Sequence, residues 1–101
     1  MSEFASSVRF IAKQGKGEQL LLRLNAFILP AGVLNHVVVQ TGPHSFLTFL
    51  RWEKEDDLIA ARPEMIAFLD TVRDLLEVIS PTLGVTDPVS GPVLLNLEAN
   101  D

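Results

Sequence analysis

The chain has 101 residues, 48% of them hydrophobic, with 13 acidic against 8 basic side chains, a formal net charge of −5 and no cysteine. A chain of this length forms one domain, here residues 1–101, burying roughly 60–65% of its unfolded surface. Without a dense Lys/Arg patch or a basic amphipathic helix, neither a nucleic-acid backbone nor a membrane surface is an expected partner. The missing cysteines exclude disulfides, thiolate chemistry and Cys-based metal centres.

Met1-Ser2-Glu3-Phe4-Ala5 has no basic segment leading into an apolar core, so it does not read as a signal peptide, and a cytoplasmic location is expected. Ser7–Lys13 alternates as a first strand, with Val8, Phe10 and Ala12 on one face and Arg9, Ile11 and Lys13 on the other. Gly15-Lys16-Gly17 turns the chain, and it lacks the fuller pattern of a phosphate loop. Glu18–Leu29 has helical spacing in Leu20, Leu21, Leu24, Phe27 and Ile28. Leu22, Ala26 and Leu29 widen its apolar arc beyond what one sheet face needs. Pro30-Ala31-Gly32 stops the helix.

Val33–Gln40 is the second strand, with Leu34, His36, Val38 and Gln40 sharing one face and Val33, Asn35, Val37 and Val39 the other. Thr41–Ser45, containing Gly42, suits a hairpin loop to the third strand, Ser45–Glu53. Period two there puts Phe46, Thr48, Leu50 and Trp52 opposite Leu47, Phe49, Arg51 and Glu53. Large apolar groups therefore lie on both faces of strands two and three. The chain's own helices cover one face, and a second copy is the simplest cover for the other.

Lys54–Arg62 reads as a short helical piece, and Pro63 as the first position of a longer helix through Met65, Phe68, Leu69, Val72, Leu75, Leu76 and Ile79, closed by Pro81. Leu83–Asp87 is a candidate fourth strand interrupted before Pro88, and Val89–Glu98 a fifth short strand or an arm laid on a partner subunit. The order predicts an α+β, ferredoxin-like split β-α-β sandwich with a four-stranded antiparallel sheet, pairing as a dimeric α/β barrel. A homodimer, or a higher oligomer built from it, is the expected assembly.

Few residues offer chemistry. Trp52, the only tryptophan, either fills the core or interface or lines a cavity for an aromatic ligand with its N–H as orienting donor. His36, mid-strand between apolar neighbours, is either a satisfied buried imidazole or a ligand-contacting, proton-transferring group. Arg51 either pairs with Glu53 or a helix acid, or holds an anionic oxygen, and Arg9 suits a strand-edge salt bridge. Asn35 can place a carbonyl or make a local hydrogen bond, and Thr48 shares the Trp52 face. His36 and His44 form no recognisable metal set with the carboxylates, and Glu53, Glu55, Asp56 and Asp57 read as a solvated helix start.

Three stretches, Val8–Gly15, Pro30–Val37 and Phe46–Glu53 before Leu58, together with the Pro63 helix, resemble the antibiotic biosynthesis monooxygenase-like family of small dimeric α/β-barrel proteins. The likeness spans residues 7–88, and Gly15, Gly32 and Trp52 are its most specific points. It implies a cofactor-independent monooxygenase acting with O₂ on a small aromatic, phenolic or quinol substrate, with no cofactor and no metal. A non-catalytic dimeric binding or association module of the same fold is the alternative. By resemblance Trp52 falls on a cavity-lining tryptophan and His36 where many members carry tyrosine, so the implied catalytic set is Trp52, His36 and Asn35. Substrate contacts would come from Trp52, His36, Thr48 and Arg51. The sequence departs from the family at Leu50, where a glutamate is frequent, in Lys54–Pro63, which holds no histidine, and in having no tyrosine.

Overall fold

The computed structural model describes residues 3–99. Its elements run β1 (Phe4–Ile11), α1 (Gly17–Ala26), β2 (Val33–Gln40), β3 (Ser45–Trp52), α2 (Glu55–Val72), a 3₁₀ turn (Arg73–Leu75) and β4 (Asp87–Pro92). The sheet is antiparallel, in the order β2-β3-β1-β4, and the two helices cover one face of it. This is the ferredoxin-like β-α-β sandwich that the alternation of the sequence predicts.

Register explains which side chains meet. Phe10 pairs with Phe46, Val8 with Thr48 and Ser6 with Leu50, so these side chains share the helix-covered face. On β2, His36 pairs with Leu50 and Val38 with Thr48. A bulge between Val33 and Asn35 adds one residue, so Val33 pairs with Trp52 and joins the core side. Strict alternation puts Val33 with Asn35 and Val37, and the bulge corrects that.

Two buried clusters form the core. One gathers Phe10, Leu20, Leu24, Phe46, Val72, Leu75 and Leu76 with Ala12. The other gathers Leu50, Trp52, Leu58 and Ala61, with Phe4, Val33 and Met65 packed against it. Gly32 has φ +91°, and a Cβ there would overlap the Asp57 side chain. Glycine thus lets the β2 entrance lie directly on the first turn of α2.

Several boundaries differ from expectation: β1 runs Phe4–Ile11 where alternation predicts Ser7–Lys13, and α1 ends at Ala26 rather than Leu29. Pro63 lies inside α2, which runs unbroken from Glu55 to Val72. The proline removes one intrahelical hydrogen bond, yet Leu58, Ala61, Met65, Phe68, Leu69 and Val72 keep one continuous apolar stripe, and its burial outweighs the loss. The helix then stops well short of Pro81. Leu76 is extended and bridges Ala12, the Lys13 N–H donates to the Leu75 carbonyl at 2.8 Å, and the Glu77 N–H donates to the Ile11 carbonyl at 2.7 Å. These bonds to the end of β1 satisfy backbone groups and bury Leu75 and Leu76. Finally, the fourth strand begins at Asp87 rather than ending there, because β4 is an edge strand that tolerates Pro88 and Pro92. Residues 93–99 have no regular structure, and Leu94, Leu95 and Leu97 are exposed, so no fifth strand forms among the described residues.

Among the described residues no helix is long and apolar enough to cross a membrane.

Candidate functional site

The gap between the two core clusters is a cavity of about 200 Å³ beneath the helices. Its floor is the sheet, through Val8, Phe10, His36, Thr48 and Leu50. Its roof comes from Leu24 and Phe27 at the end of α1 and from Met65, Ile66, Phe68 and Leu69 on α2, with Thr86 and Pro88 closing one side. Leu50 and Met65 belong to the Trp52 cluster, while Phe10 and Leu24 belong to the other. Val8 and Thr48 on the floor are short, and Phe27 and Phe68 in the roof pack on each other with ring centroids 4.7 Å apart.

Among the described residues His36 is the cavity's one titratable lining residue. Burial holds its pKa below the ordinary value of 6.5, because an imidazolium there loses water without gaining an anion. At neutral pH it is therefore an uncharged ring able to accept a proton. Thr48 is buried, and its hydroxyl donates to the Val8 carbonyl at 3.4 Å, a long bond that leaves the oxygen free to accept from a ligand. Val38 pairs with Thr48 and His36 with Leu50, so these two polar groups lie diagonally across neighbouring strands on one face.

The other candidates sit elsewhere. Trp52 is fully buried outside the lining, and its indole N–H donates to the Ser6 hydroxyl at 3.0 Å. Asn35 and Arg51 pair across β2 and β3 on the face that the helices leave bare. Alternation along β2 puts Asn35 opposite His36, and the same alternation puts Arg51 opposite Leu50 and Trp52. Arg51 meets Glu3 at 3.4 Å, where the sequence points to Glu53 or a helix acid. Arg9 makes the expected strand-edge bridge, to Asp87 at 3.1 Å. Sequence reasoning missed Thr86, Met65 and Phe27 as lining residues, since only the fold brings them over β3. Among the described residues no three His, Asp or Glu side chains gather as a metal site.

No family model and no curated protein matches the sequence. Solved structures do match its fold. A protein assigned as an antibiotic biosynthesis monooxygenase, from Chloroflexus aurantiacus, superposes with a TM-score of 0.75 at 16% identity, covering 96% of this chain and 98% of that one. A dimeric ferredoxin-like protein from an uncultured marine organism gives 0.73 at 11% identity, over 99% and 95%. A mutant of SnoaB, a cofactor-independent oxygenase from Streptomyces nogalater, gives 0.72 at 16% identity, over 98% and 100%. The chain thus shares the fold of the antibiotic biosynthesis monooxygenase-like and dimeric ferredoxin-like proteins along nearly its whole length.

Proposed function

We propose that the cavity binds a small aromatic molecule bearing one ionisable hydroxyl, a phenol or quinol type, and promotes its oxidation by O₂ without a cofactor. The observation that carries this reading is His36, a neutral base in a wall that is otherwise almost wholly apolar. His36 takes the hydroxyl proton, and the Thr48 hydroxyl turns from its long bond to Val8 to donate to the oxygen left behind. Proton transfer within that pair keeps the cavity's net charge at zero, so no isolated anion enters the apolar wall. The electron-rich substrate anion then reduces O₂. In a monooxygenation of this kind the ring C–H para to the ionised oxygen (the CH₂ of the keto tautomer) becomes C=O, one oxygen atom entering the product and the other leaving as water with that hydrogen and the hydroxyl proton. The substrate supplies all four electrons, and the protein supplies position and electrostatics.

Trp52 acts in this scheme through Leu50 and Met65, which it backs and which line the cavity. The bare sheet face, with Val37, Val39 and Val89 exposed, fits a second copy of the chain. Among the described residues Asn35 Oδ1 is buried there without a hydrogen-bond partner in one chain, while Arg51 Nε and Glu3 Oε1 face each other as an ion pair at 3.4 Å, so a two-fold partner can satisfy the amide oxygen. Sedimentation should give twice the 11.1 kDa chain mass at micromolar concentration. A chain-mass particle would remove the dimer.

A second reading, binding without turnover, is favoured by Trp52, whose N–H is engaged with Ser6 and turned from the cavity. Oxygen-electrode measurements over a panel of phenols, hydroquinones and ketones with an acidic ring CH₂ separate the two. Uptake above buffer with at least one compound, lost in His36→Gln, supports oxidation. No uptake across the panel leaves the binding reading.

A further inference from the structure

Outside the cavity, between the last turns of α1 and the β2 edge, runs a groove of about 390 Å³ lined by Leu21, Leu24, Asn25, Phe27, Leu29, His36 and Val38. Leu24, Phe27 and His36 line the inner cavity as well. The two spaces therefore adjoin at these three side chains, and His36 stands at their junction. Leu21 on α1 and Leu29 just beyond it line this groove and remain 42% and 45% exposed.

We infer that the ligand has two parts: an apolar ring in the inner cavity, and an uncharged hydrogen-bonding substituent that passes His36 into the outer groove and meets Asn25. This rests on the cavity being a ligand site, as proposed above, and specifies what it takes. Size sets the first part. An engineered apolar cavity of about 150 Å³ accommodates benzene, so the present one, at about 200 Å³, has room for a substituted or fused ring. Charge sets the second. Among the described residues neither lining contains Asp, Glu, Lys or Arg. Arg23, the cation nearest Asn25 in sequence, is turned toward α2, where its guanidinium donates to the Thr71 carbonyl at 3.4 Å. Glu18 lines the continuation of the groove beside Leu21, Leu22 and Asn25. A carboxylate or phosphate would find no partner there, whereas a hydroxyl or carbonyl would find the Asn25 amide.

Calorimetric titration under argon, which keeps binding apart from oxidation, uses three probes that share a free ring hydroxyl: naphthol, (hydroxyethoxy)naphthol and (carboxymethoxy)naphthol. (Hydroxyethoxy)naphthol should bind about fivefold more tightly than naphthol, the worth of one net hydrogen bond, and the carboxymethoxy compound no more tightly than naphthol. Asn25 is exposed on α1, so Asn25→Leu should fold and lose that fivefold advantage, with Asn25→Gln restoring part of it and naphthol affinity reporting the intact cavity. Equal affinity for naphthol and (hydroxyethoxy)naphthol, an unaltered advantage in Asn25→Leu, tightest binding of the carboxymethoxy compound, parallel loss of both affinities in Asn25→Leu, or no binding of any probe would each overturn the two-part site. Failure of oxygen uptake with these affinities intact would overturn only the oxidation.

Discussion

Trp52 and His36 lie on the same face of the same sheet and end in opposite circumstances. Around Trp52 the space is full: the indole is wholly buried among Leu50, Leu58 and Ala61, its one polar atom is bonded to Ser6, and Gly32 lets the neighbouring loop lie on α2. Around His36 the space is empty, and the ring faces a cavity and a groove whose walls supply no charge. One face thus combines a solid end that fixes the distance between sheet and α2 with a hollow middle that uses it. A close-packed interior tolerates such a void only where the surrounding frame is stiff.

The largest effect should come from emptying the full end. Trp52→Ala removes a fully buried indole and is expected to cost about 3–5 kcal/mol, a large part of the total for a domain of this size. Urea denaturation measures it, with Trp52→Phe as the variant that keeps a ring and loses the bond to Ser6. A loss below about 1 kcal/mol for Trp52→Ala would mean that the Trp52 end is as loosely filled as the cavity, and the contrast would break.

A smaller effect, confined to a pH window, should come from the hollow middle. With the folded-state pKa of His36 below its ordinary value of 6.5, the unfolded chain binds more protons than the folded one between the two values. Stability then rises with pH across that window and falls as pH drops from about 6.5 toward the folded pKa, below which this contribution stops changing. Denaturation curves at steps from neutral to mildly acidic pH should show the slope. Its loss in His36→Gln, with His44 untouched, assigns it to the cavity, and an unchanged slope in the variant would show that His36 does not carry it.

Much of this contrast was legible in the chain. Alternation in Ser45–Trp52 places Thr48, Leu50 and Trp52 together, and the same rule separates His36 from Asn35 and Arg51 from Trp52. What alternation does not encode is where a face is filled. Whether Trp52 or His36 meets the void depends on Met65, Phe68 and Phe27, which reach the sheet from elements distant in sequence. The edges were hidden for local reasons. One extra residue at Leu34 shifts Val33 to the core, backbone bonds to β1 end the second helix early, and an edge strand accepts the prolines that argued against it.

The smallest expected effect sharpens the comparison at its boundary. Thr48 is buried like Trp52 yet faces the cavity like His36, so its hydroxyl has a weak internal partner and an open side. Thr48→Val retains the shape of the side chain and removes a donor whose bond to Val8 is already long. The stability change should stay within about 1 kcal/mol, far below that for Trp52→Ala. Binding should respond differently: affinity for naphthol should fall severalfold while affinity for naphthalene, which has no hydroxyl to place, stays the same. If both ligands weaken together, the threonine supports the shape of the cavity floor, and His36 alone selects the hydroxyl.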